Sequence, residues 1–164
     1  MSSKILMAYA SRTGATAEVA EEIGRLLTIA GKTVEVMPLS QVKDCEGYQA
    51  VILGTAARMG KLLPETVKFV KKHAKDLQPL PVAYFVVCLT MKDATPENRK
   101  VVEGYLEPLR QIKPPLLEGL FAGWMDPDKL EGIWRVMMKN VEKGDYRNWD
   151  EIRQWAVKLA EVLP

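Results

Sequence analysis

The sequence predicts a single-domain α/β fold in which a doubly wound parallel sheet of five strands carries helices on both faces. Two patterns predict it: short apolar runs are typical of strands buried on both faces, and segments with helical spacing separate them. The length of 164 residues is usual for one domain, and a hydrophobic content of 48% is ordinary for a globular protein. We therefore treat residues 1–164 as one domain.

Five apolar runs are the predicted strands. They comprise residues 5–10, 34–39, 50–53, 82–89 and 116–125. In a doubly wound sheet of order 2-1-3-4-5, ligands bind beyond the carboxyl ends of the strands, where the strand order reverses. That point lies between the first and third strands. Residues 11–16, 55–63 and 90–95 are therefore the loops expected to carry the chemistry.

Four segments show the apolar stripe of an amphipathic helix and begin at a residue that suits a helix N-terminus, namely Thr16, Pro64, Thr95 and Asn148. In the same order, the stripes comprise Ala20, Ile23, Leu27 and Ala30; Val67, Val70, Ala74 and Leu77; Val102, Tyr105, Leu106 and Leu109; and Ile152, Trp155, Leu159 and Leu163. Gly31 ends the first helix, and Glu151 is placed as the reciprocal capping partner of Asn148. Residues 40–48 fit either a short helix or a loop.

Charge and cysteine content exclude several classes of protein. The formal net charge of +2 is too small for the basic face that nucleic-acid binding requires. Cys45 and Cys88 lie far apart with no histidine near them, which predicts neither a zinc site nor a disulfide framework. Residues 1–4 lead directly into the first predicted strand, and the apolar runs are too short to span a membrane. We therefore expect no signal peptide and a cytoplasmic location.

The first loop has the composition of a phosphate-binding site. It places the hydroxyls of Ser11, Thr13 and Thr16, with Gly14, at a helix N-terminus, where backbone N–H groups and the helix dipole attract an anion. A plain helix N-cap rich in Ser and Thr is the alternative. Nucleoside triphosphatases and dinucleotide-binding proteins do not fit, because the chain lacks Gly-Lys-Ser/Thr and Gly-x-Gly-x-x-Gly motifs. Receiver domains and low-molecular-weight phosphatases also do not fit, because the acidic cluster and the loop cysteine are missing.

The sequence Ser-Arg-Thr-Gly-Ala-Thr at residues 11–16 resembles the FMN phosphate loop of flavodoxins, (S/T)-x-T-G-x-T. The resemblance spans the whole chain and implies a flavodoxin-like three-layer sandwich, with an extra helix before the C-terminal helix. Residues 54–60 and 69–73, with Phe-Ala-Gly at 121–123 and Asn-Trp at 148–149, are similar to the menaquinone-dependent protoporphyrinogen dehydrogenases. This similarity implies an FMN-dependent oxidoreductase that transfers electrons to a quinone. A flavodoxin-type electron carrier that docks to redox proteins, without a small-molecule substrate, is the alternative.

The resemblance implies two groups of cofactor-binding residues. The FMN phosphate would be held by Ser11, Arg12, Thr13, Gly14, Ala15 and Thr16. The flavin ring would be flanked by Thr55, Ala56, Ala57, Arg58, Met59, Gly60, Leu89, Thr90, Met91, Lys92 and Asp93. No catalytic side chain and no metal are expected, because the flavin itself performs the redox chemistry. His73 is expected to make a favourable contact with a helix dipole rather than to act as acid or base.

Two departures from electron-carrier flavodoxins are informative. Residues 55–63 and 90–95 contain no aromatic side chain, so a ring bound between them would be less covered and open to a docking substrate. Arg58, Lys61 and Lys92 place positive charge in these loops, where it would stabilise an anionic reduced flavin. The same cations could bind the carboxylates of an organic substrate such as a porphyrinogen. Solvated loop cations are the alternative.

Residues 126–147 form a segment that the shortest flavodoxins lack. Its apolar positions at helical spacing are Leu130, Ile133, Trp134, Met137, Met138 and Val141, and its basic residues include Lys129, Arg135, Lys139 and Lys143. One interpretation is a helix that lies on a membrane surface or against a partner, as a quinone-linked enzyme would need. The other is an extra helix that packs its apolar face on the core.

Overall fold

The computed structural model describes residues 4–126, 129, 131–140 and 143–164, with the side chain of Trp134 left out. The strands are β1 (Lys4–Ala10), β2 (Thr33–Pro38), β3 (Ala50–Arg58), β4 (Lys61–Leu62), β5 (Val82–Cys88), β6 (Leu117–Ala122), β7 (Trp124–Met125) and β8 (Gly144–Asp145). The parallel sheet has the order β2-β1-β3-β5-β6, while β4 pairs antiparallel with β3, and β7 with β8. This confirms the order 2-1-3-4-5 predicted from sequence, because β5 and β6 are the predicted fourth and fifth strands. The additional strand β4 is a short hairpin partner of β3.

Helices cover both faces of this sheet. They are α1 (Ala15–Ile29), α2 (Pro64–Lys72), α3 (Ala74–Leu77), α4 (Pro96–Tyr105), α5 (Glu107–Arg110), α6 (Ile133–Met137) and α7 (Trp149–Val162). Alternate strand residues point to opposite faces: Ile5 and Met7 pack with α1 and α7, whereas Leu6 and Ala8 pack with α2 to α5. Both clusters are buried, which gives the predicted three layers.

A close approach between two central strands aligns the ends of β3 and β5. Gly54 pairs with Phe85, and a Cβ atom on Gly54 would lie 2.1 Å from the Phe85 ring. The ring of Phe85 also contacts those of Phe121 and Trp155, with centroids 6.0 and 5.8 Å away. Glycine at this position lets the aromatic cluster fill the core beneath α1 and α7.

Several predicted boundaries were wrong. The second strand ends at Pro38 and gives way to a short 3₁₀ turn, Leu39–Gln41, followed by a loop. The third strand runs on to Arg58, because Thr55 and Ala56 still pair with β5, so residues 55–63 are largely a hairpin rather than a loop. The run 116–125 is divided between β6 and β7.

Two predicted helices are interrupted. The helix that begins at Pro64 breaks at His73, whose backbone leaves helical geometry while its ring packs on Phe69 with centroids 4.5 Å apart. The helix capped by Thr95 ends at Tyr105 and is followed by α5. In contrast, Asn148 caps α7 as predicted, accepting a hydrogen bond from the backbone N–H of Glu151 at 3.2 Å.

The extra helix before the C-terminal helix is short, and three of its described apolar side chains are largely exposed to solvent. In α6, the side chains of Ile133, Val136 and Met137 are 69%, 66% and 58% exposed. The predicted positions Leu130 and Val141, and the side chain of Trp134, lie outside the described residues.

None of the helices in the described residues is both long enough and apolar enough to cross a bilayer.

Candidate functional site

A cavity of about 400 Å³ opens at the carboxyl ends of β1, β3 and β5, where the strand order reverses. One wall, the strand-end wall, consists of lining residues from 11–16, 56–60 and 87–90. The opposite wall, the hairpin wall, consists of residues 123–126 around β7 together with Met137 and Met138. Tyr105 from α4 completes the lining.

The structure brings most of the predicted cofactor residues to this cavity. Those that line it are Ser11, Arg12, Thr13, Ala15, Thr16, Ala56, Ala57, Arg58, Met59, Gly60, Leu89 and Thr90. Gly14 forms the N-cap of α1 beside them. Residues from three separate strand ends therefore meet at one site.

The remaining predicted residues do not line the cavity. Thr55 is buried, and its hydroxyl accepts a hydrogen bond from Thr66 at 2.8 Å and donates to the carbonyl of Ala56. Met91 is buried, and the amine of Lys92 lies 4.6 Å from the centroid of the Tyr146 ring. Asp93 and Lys61 are exposed outside it. Of the three predicted substrate cations, only Arg58 lines the cavity.

The loop at residues 11–16 presents a set of hydrogen-bond donors. Gly14 has a φ of +98°, and its N–H donates to the Ser11 hydroxyl oxygen at 3.0 Å. Helical bonding begins with Glu18 N–H to the Gly14 carbonyl at 3.1 Å, so the N–H groups of residues 15–17 precede it and need outside acceptors. The loop hydroxyls lie among these donors and line the same cavity. This donor set fits a phosphate group.

The charge of Glu18, an acidic residue near the loop, is balanced by Arg147. Glu18 lies in the first turn of α1, where its charge would repel an anion. Arg147, whose side chain is 4% exposed, donates to Glu18 at 3.2 Å and to Asp145 at 2.7 Å. The hydrogen bond from Arg147 lowers the pKa of Asp145. Arg147 therefore keeps the loop favourable for a negatively charged ligand.

Two further arginines lie at the strand-end wall. Arg12 forms a bidentate ion pair with Glu65, one contact being 2.8 Å between Nη2 and Oε1, and this hydrogen bonding lowers the pKa of Glu65. Burial lowers the pKa of Arg58, and the like charge of Arg12 adds to this effect. Glu65 therefore balances the charge of Arg12, and Arg58 is the second arginine that lines this wall.

The hairpin wall was missed by sequence reasoning and contributes an aromatic side chain. Trp124 lines the cavity, and its indole N–H donates to the Thr13 hydroxyl oxygen at 2.9 Å. The guanidinium of Arg147 and the amine of Lys129 each lie 4.4 Å from the Trp124 ring centroid. The prediction that the second and third loops lack aromatic residues holds, but Trp124 and Tyr105 supply them from elsewhere. Only the position of Trp124 just beyond a strand end could have pointed to it.

Neither Cys88 nor His73 has the properties of a catalytic group. Cys88 lines the cavity, but burial raises the pKa of its thiol and keeps it protonated at neutral pH. His73 is buried against Phe69 and lies away from the cavity, with its Nδ1 atom 3.9 Å from the carboxylate of Asp76.

The profile of the flavodoxin domain matches residues 6–151. The chain belongs to the flavodoxin-domain family. Oxidised flavodoxin 1 from Bacillus cereus, at 20% identity, superposes with a TM-score of 0.64 over 99% of this chain and all of that one. A flavodoxin from the domain Archaea, also 20% identical, gives a TM-score of 0.60 over 96% of both chains. Membership in the flavodoxin-domain family implies a flavin as the cofactor.

Two curated relatives carry the name protoporphyrinogen IX dehydrogenase (quinone). The protein from Leishmania major is 28% identical, with 98% of this chain and 76% of that protein covered. The protein from Escherichia coli strain K12 is 25% identical, with 97% of this chain and 96% of that protein covered. The similarity to both extends over nearly the whole flavodoxin-like chain and supports an oxidoreductase.

Proposed function

We propose that this chain binds FMN without a covalent bond and transfers electrons from an organic substrate, of the protoporphyrinogen IX class, to a quinone. The observation that carries the proposal is the position of the loop donors. The hydroxyls of Ser11, Thr13 and Thr16 line a cavity whose other lining is mostly apolar, and the amides of residues 15–17, which precede the first helical hydrogen bond, lie in the same loop and helix start. A phosphate group linked to a large apolar ring system matches this arrangement.

The two walls of the cavity would have different roles in binding the cofactor. The loop at residues 11–16 would hold the phosphate, and the small side chains of Ala56 and Ala57 would leave room for a flat ring against the strand ends. The hairpin wall would shield the opposite side from water. When bound, the flavin supplies the capacity to accept and release electrons, which no side chain here possesses.

Arg58 is the residue we propose to act on both cofactor and substrate. Its guanidinium lines the cavity, and positive charge there favours the anionic form of a reduced cofactor. The same group can donate two parallel hydrogen bonds to a substrate carboxylate. Lys61 and Lys92, which the sequence placed in the same role, lie outside the cavity.

The exposed apolar residues near the cavity would suit a protein that reaches a quinone in a membrane. Met59 and Met137 line the cavity and are 78% and 58% exposed, and Ile133 and Val136 are exposed on the same helix as Met137. We refer to these four residues as the apolar rim. The exposed basic residues Arg135 and Lys139 belong to the same segment. Apolar residues flanked by cations are typical of contact with an anionic membrane surface, where lipid-soluble quinones reside.

The proposal that FMN binds here is tested by titrating the flavin-free protein with FMN. Thr16 lines the cavity, whereas Thr28 lies at the far end of the same helix and donates to the Gly24 carbonyl at 2.8 Å. We expect Thr16→Ala to weaken FMN binding by roughly 1–3 kcal/mol, because a hydrogen bond to a charged group is lost. The control, Thr28→Ala, should leave the affinity unchanged. Equal affinities for both variants would contradict the site.

The substrate class is tested by coupling protoporphyrinogen oxidation to menaquinone reduction with the FMN-loaded protein. Turnover that requires both FMN and the quinone would support the proposal. Reduction of FMN by a redox partner protein, with no oxidation of the porphyrinogen, would instead indicate a flavodoxin-type electron carrier.

A further inference from the structure

We propose that Trp124 is a positioning residue that commits the hydroxyl of Thr13 to donate to the cofactor phosphate. This inference rests on the proposed function, since it concerns how the FMN phosphate would be held. Trp124 and Thr13 are 111 residues apart in the sequence, and the tryptophan lies in the part of the site for which the sequence offered no motif.

The donor and acceptor capacities of the two side chains support this role. An indole N–H can only donate, whereas a threonine hydroxyl has one proton to donate and two lone pairs that accept. Because Trp124 Nε1 lies 2.9 Å from Thr13 Oγ1, the threonine oxygen must be the acceptor. Its own proton must then point elsewhere. Across the residues that the structure describes, the hydrogen bonds include no protein acceptor for that proton, and Thr13 lines the cavity.

Ser11 is arranged in the same way by a local contact. Its hydroxyl oxygen accepts the Gly14 N–H at 3.0 Å, which leaves the Ser11 proton free to donate. The loop therefore contains two hydroxyls that each accept one hydrogen bond from within the protein and keep their proton to donate. One is committed by the backbone of the loop itself, and the other by a tryptophan from the hairpin wall.

The position of Trp124 is held from several sides. A Cβ atom on Gly14 would lie 3.6 Å from the indole ring, so the ring packs directly against the loop. Arg147 lies 4.4 Å from the ring centroid and also bonds Glu18 on α1, and Trp124 pairs with Asp145 in the two-stranded sheet. These contacts restrict the indole to one placement, which a hydrogen bond needs if it is to orient its acceptor.

The consequence is selectivity for a phosphorylated flavin. A hydroxyl committed as a donor strengthens binding of FMN but gives riboflavin nothing, because riboflavin has no phosphate. Trp124 should therefore change the ratio of the two affinities, whereas a residue that merely supports the fold should weaken both ligands together.

The test compares the dissociation constants of FMN and riboflavin for the full chain, measured by quenching of flavin fluorescence. Trp124→Phe keeps an aromatic ring but removes the indole N–H, and we expect FMN to bind about fivefold more weakly, with riboflavin unchanged. Trp155→Phe is the matched control. Its indole N–H donates to the Glu118 carbonyl at 3.0 Å, and it should leave the ratio of affinities unchanged.

A double-mutant cycle with Thr13→Val completes the test, and Thr13→Val alone replaces it if Trp124→Phe fails to fold. If Trp124 acts through Thr13, Thr13→Val should reduce the preference for FMN over riboflavin at least as much as Trp124→Phe does. The double variant should then show no greater loss of this preference than Thr13→Val alone. Equal weakening of both flavins by Trp124→Phe, additive losses in the cycle, or an unchanged ratio in Thr13→Val would overturn the inference. Failure of the unmodified protein to bind FMN would instead refute the proposed function.

Discussion

The two walls of the cavity are built by different means. The strand-end wall follows the register of the parallel sheet, in which Ala10 pairs with Thr55, and Ala56 with Val87. The hairpin wall has two residue pairs between β7 and β8, two further backbone hydrogen bonds at Gly123, and the side-chain contacts of Arg147. The first wall therefore adjoins a long parallel ladder, whereas the second has a short ladder supplemented by side chains.

This difference indicates where the site is vulnerable. Within this wall, residues 56–58 and 87–88 are kept in place by the ladders of the sheet, so replacing one of their side chains leaves the backbone in position. In the hairpin wall, a single guanidinium contacts Asp145, Glu18 and the rings of Trp124 and Trp149, the rings at 4.4 and 4.8 Å. Substitutions there should disturb stability and ligand binding together.

The largest effect is expected from Arg147→Met. The methionine would fill much of the space between the two tryptophans but would leave Asp145 and Glu18 without their cation. We expect unfolding in urea to require about 2 kcal/mol less, since a nearly buried charge and its ring contacts are lost. Arg153→Met, which removes an arginine 50% exposed on α7, should cost less than about 0.5 kcal/mol. Similar losses in the two variants would contradict the difference between the walls.

The same arginine makes stability depend on pH. The pKa of Asp145 is lowered in the folded protein by the hydrogen bond from Arg147, so ionised Asp145 stabilises the fold above its unfolded pKa, near 4. That contribution should be lost as the pH falls from about 4 through the lower folded value. Thermal melts between pH 5 and 2 should therefore show a shallower decline for Asp145→Asn than for the unmodified protein.

The next prediction concerns the charge of the strand-end wall. Arg58 and Lys61 are paired in one hairpin, yet only Arg58 lines the cavity. With FMN bound, Arg58→Gln should make the two-electron midpoint potential more negative by about 30 mV, the equivalent of a tenfold change, because less positive charge stabilises the reduced cofactor. Lys61→Gln is the control and should shift the midpoint potential much less. Equal shifts would show that distance to the cavity does not matter.

Local signals in the sequence predicted the strand-end wall well. The loop 11–16, the apolar strands and the sheet order all follow from short-range patterns, and the structure brings these residues together. Trp124 and Arg147 could not be found in this way, because their roles depend on contacts with residues far away in the sequence, Thr13 in the first loop and Glu18 on α1. The exposure of Ile133 was also not predictable, since helical spacing indicates an apolar face but not what covers it.

A further prediction tests the apolar rim. Val136 on α6 and Val157 on α7 are exposed to a similar extent, 66% and 59%, so they form a matched pair. Val136→Asp should weaken co-sedimentation with vesicles containing anionic lipid by about fivefold, because a charged group replaces an inserted apolar one. Val157→Asp should have no effect. If neither variant changes binding, or if the unmodified protein does not bind vesicles, the membrane proposal is wrong.

The smallest effect is expected at Met59, where the backbone of the strand-end wall is strained. Met59 and Gly60 connect β3 to β4 with φ values of +52° and +76°, a two-residue turn in which asparagine is favoured at the first position. Met59→Asn should stabilise the protein by about 0.5 kcal/mol and raise the melting temperature by about 1–2 °C, because little burial is lost at a side chain 78% exposed. Met59→Ile should lower the melting temperature, because a β-branched residue disfavours a positive φ. If the asparagine variant is more stable but binds vesicles less well, methionine is retained at a strained position because the apolar rim requires it.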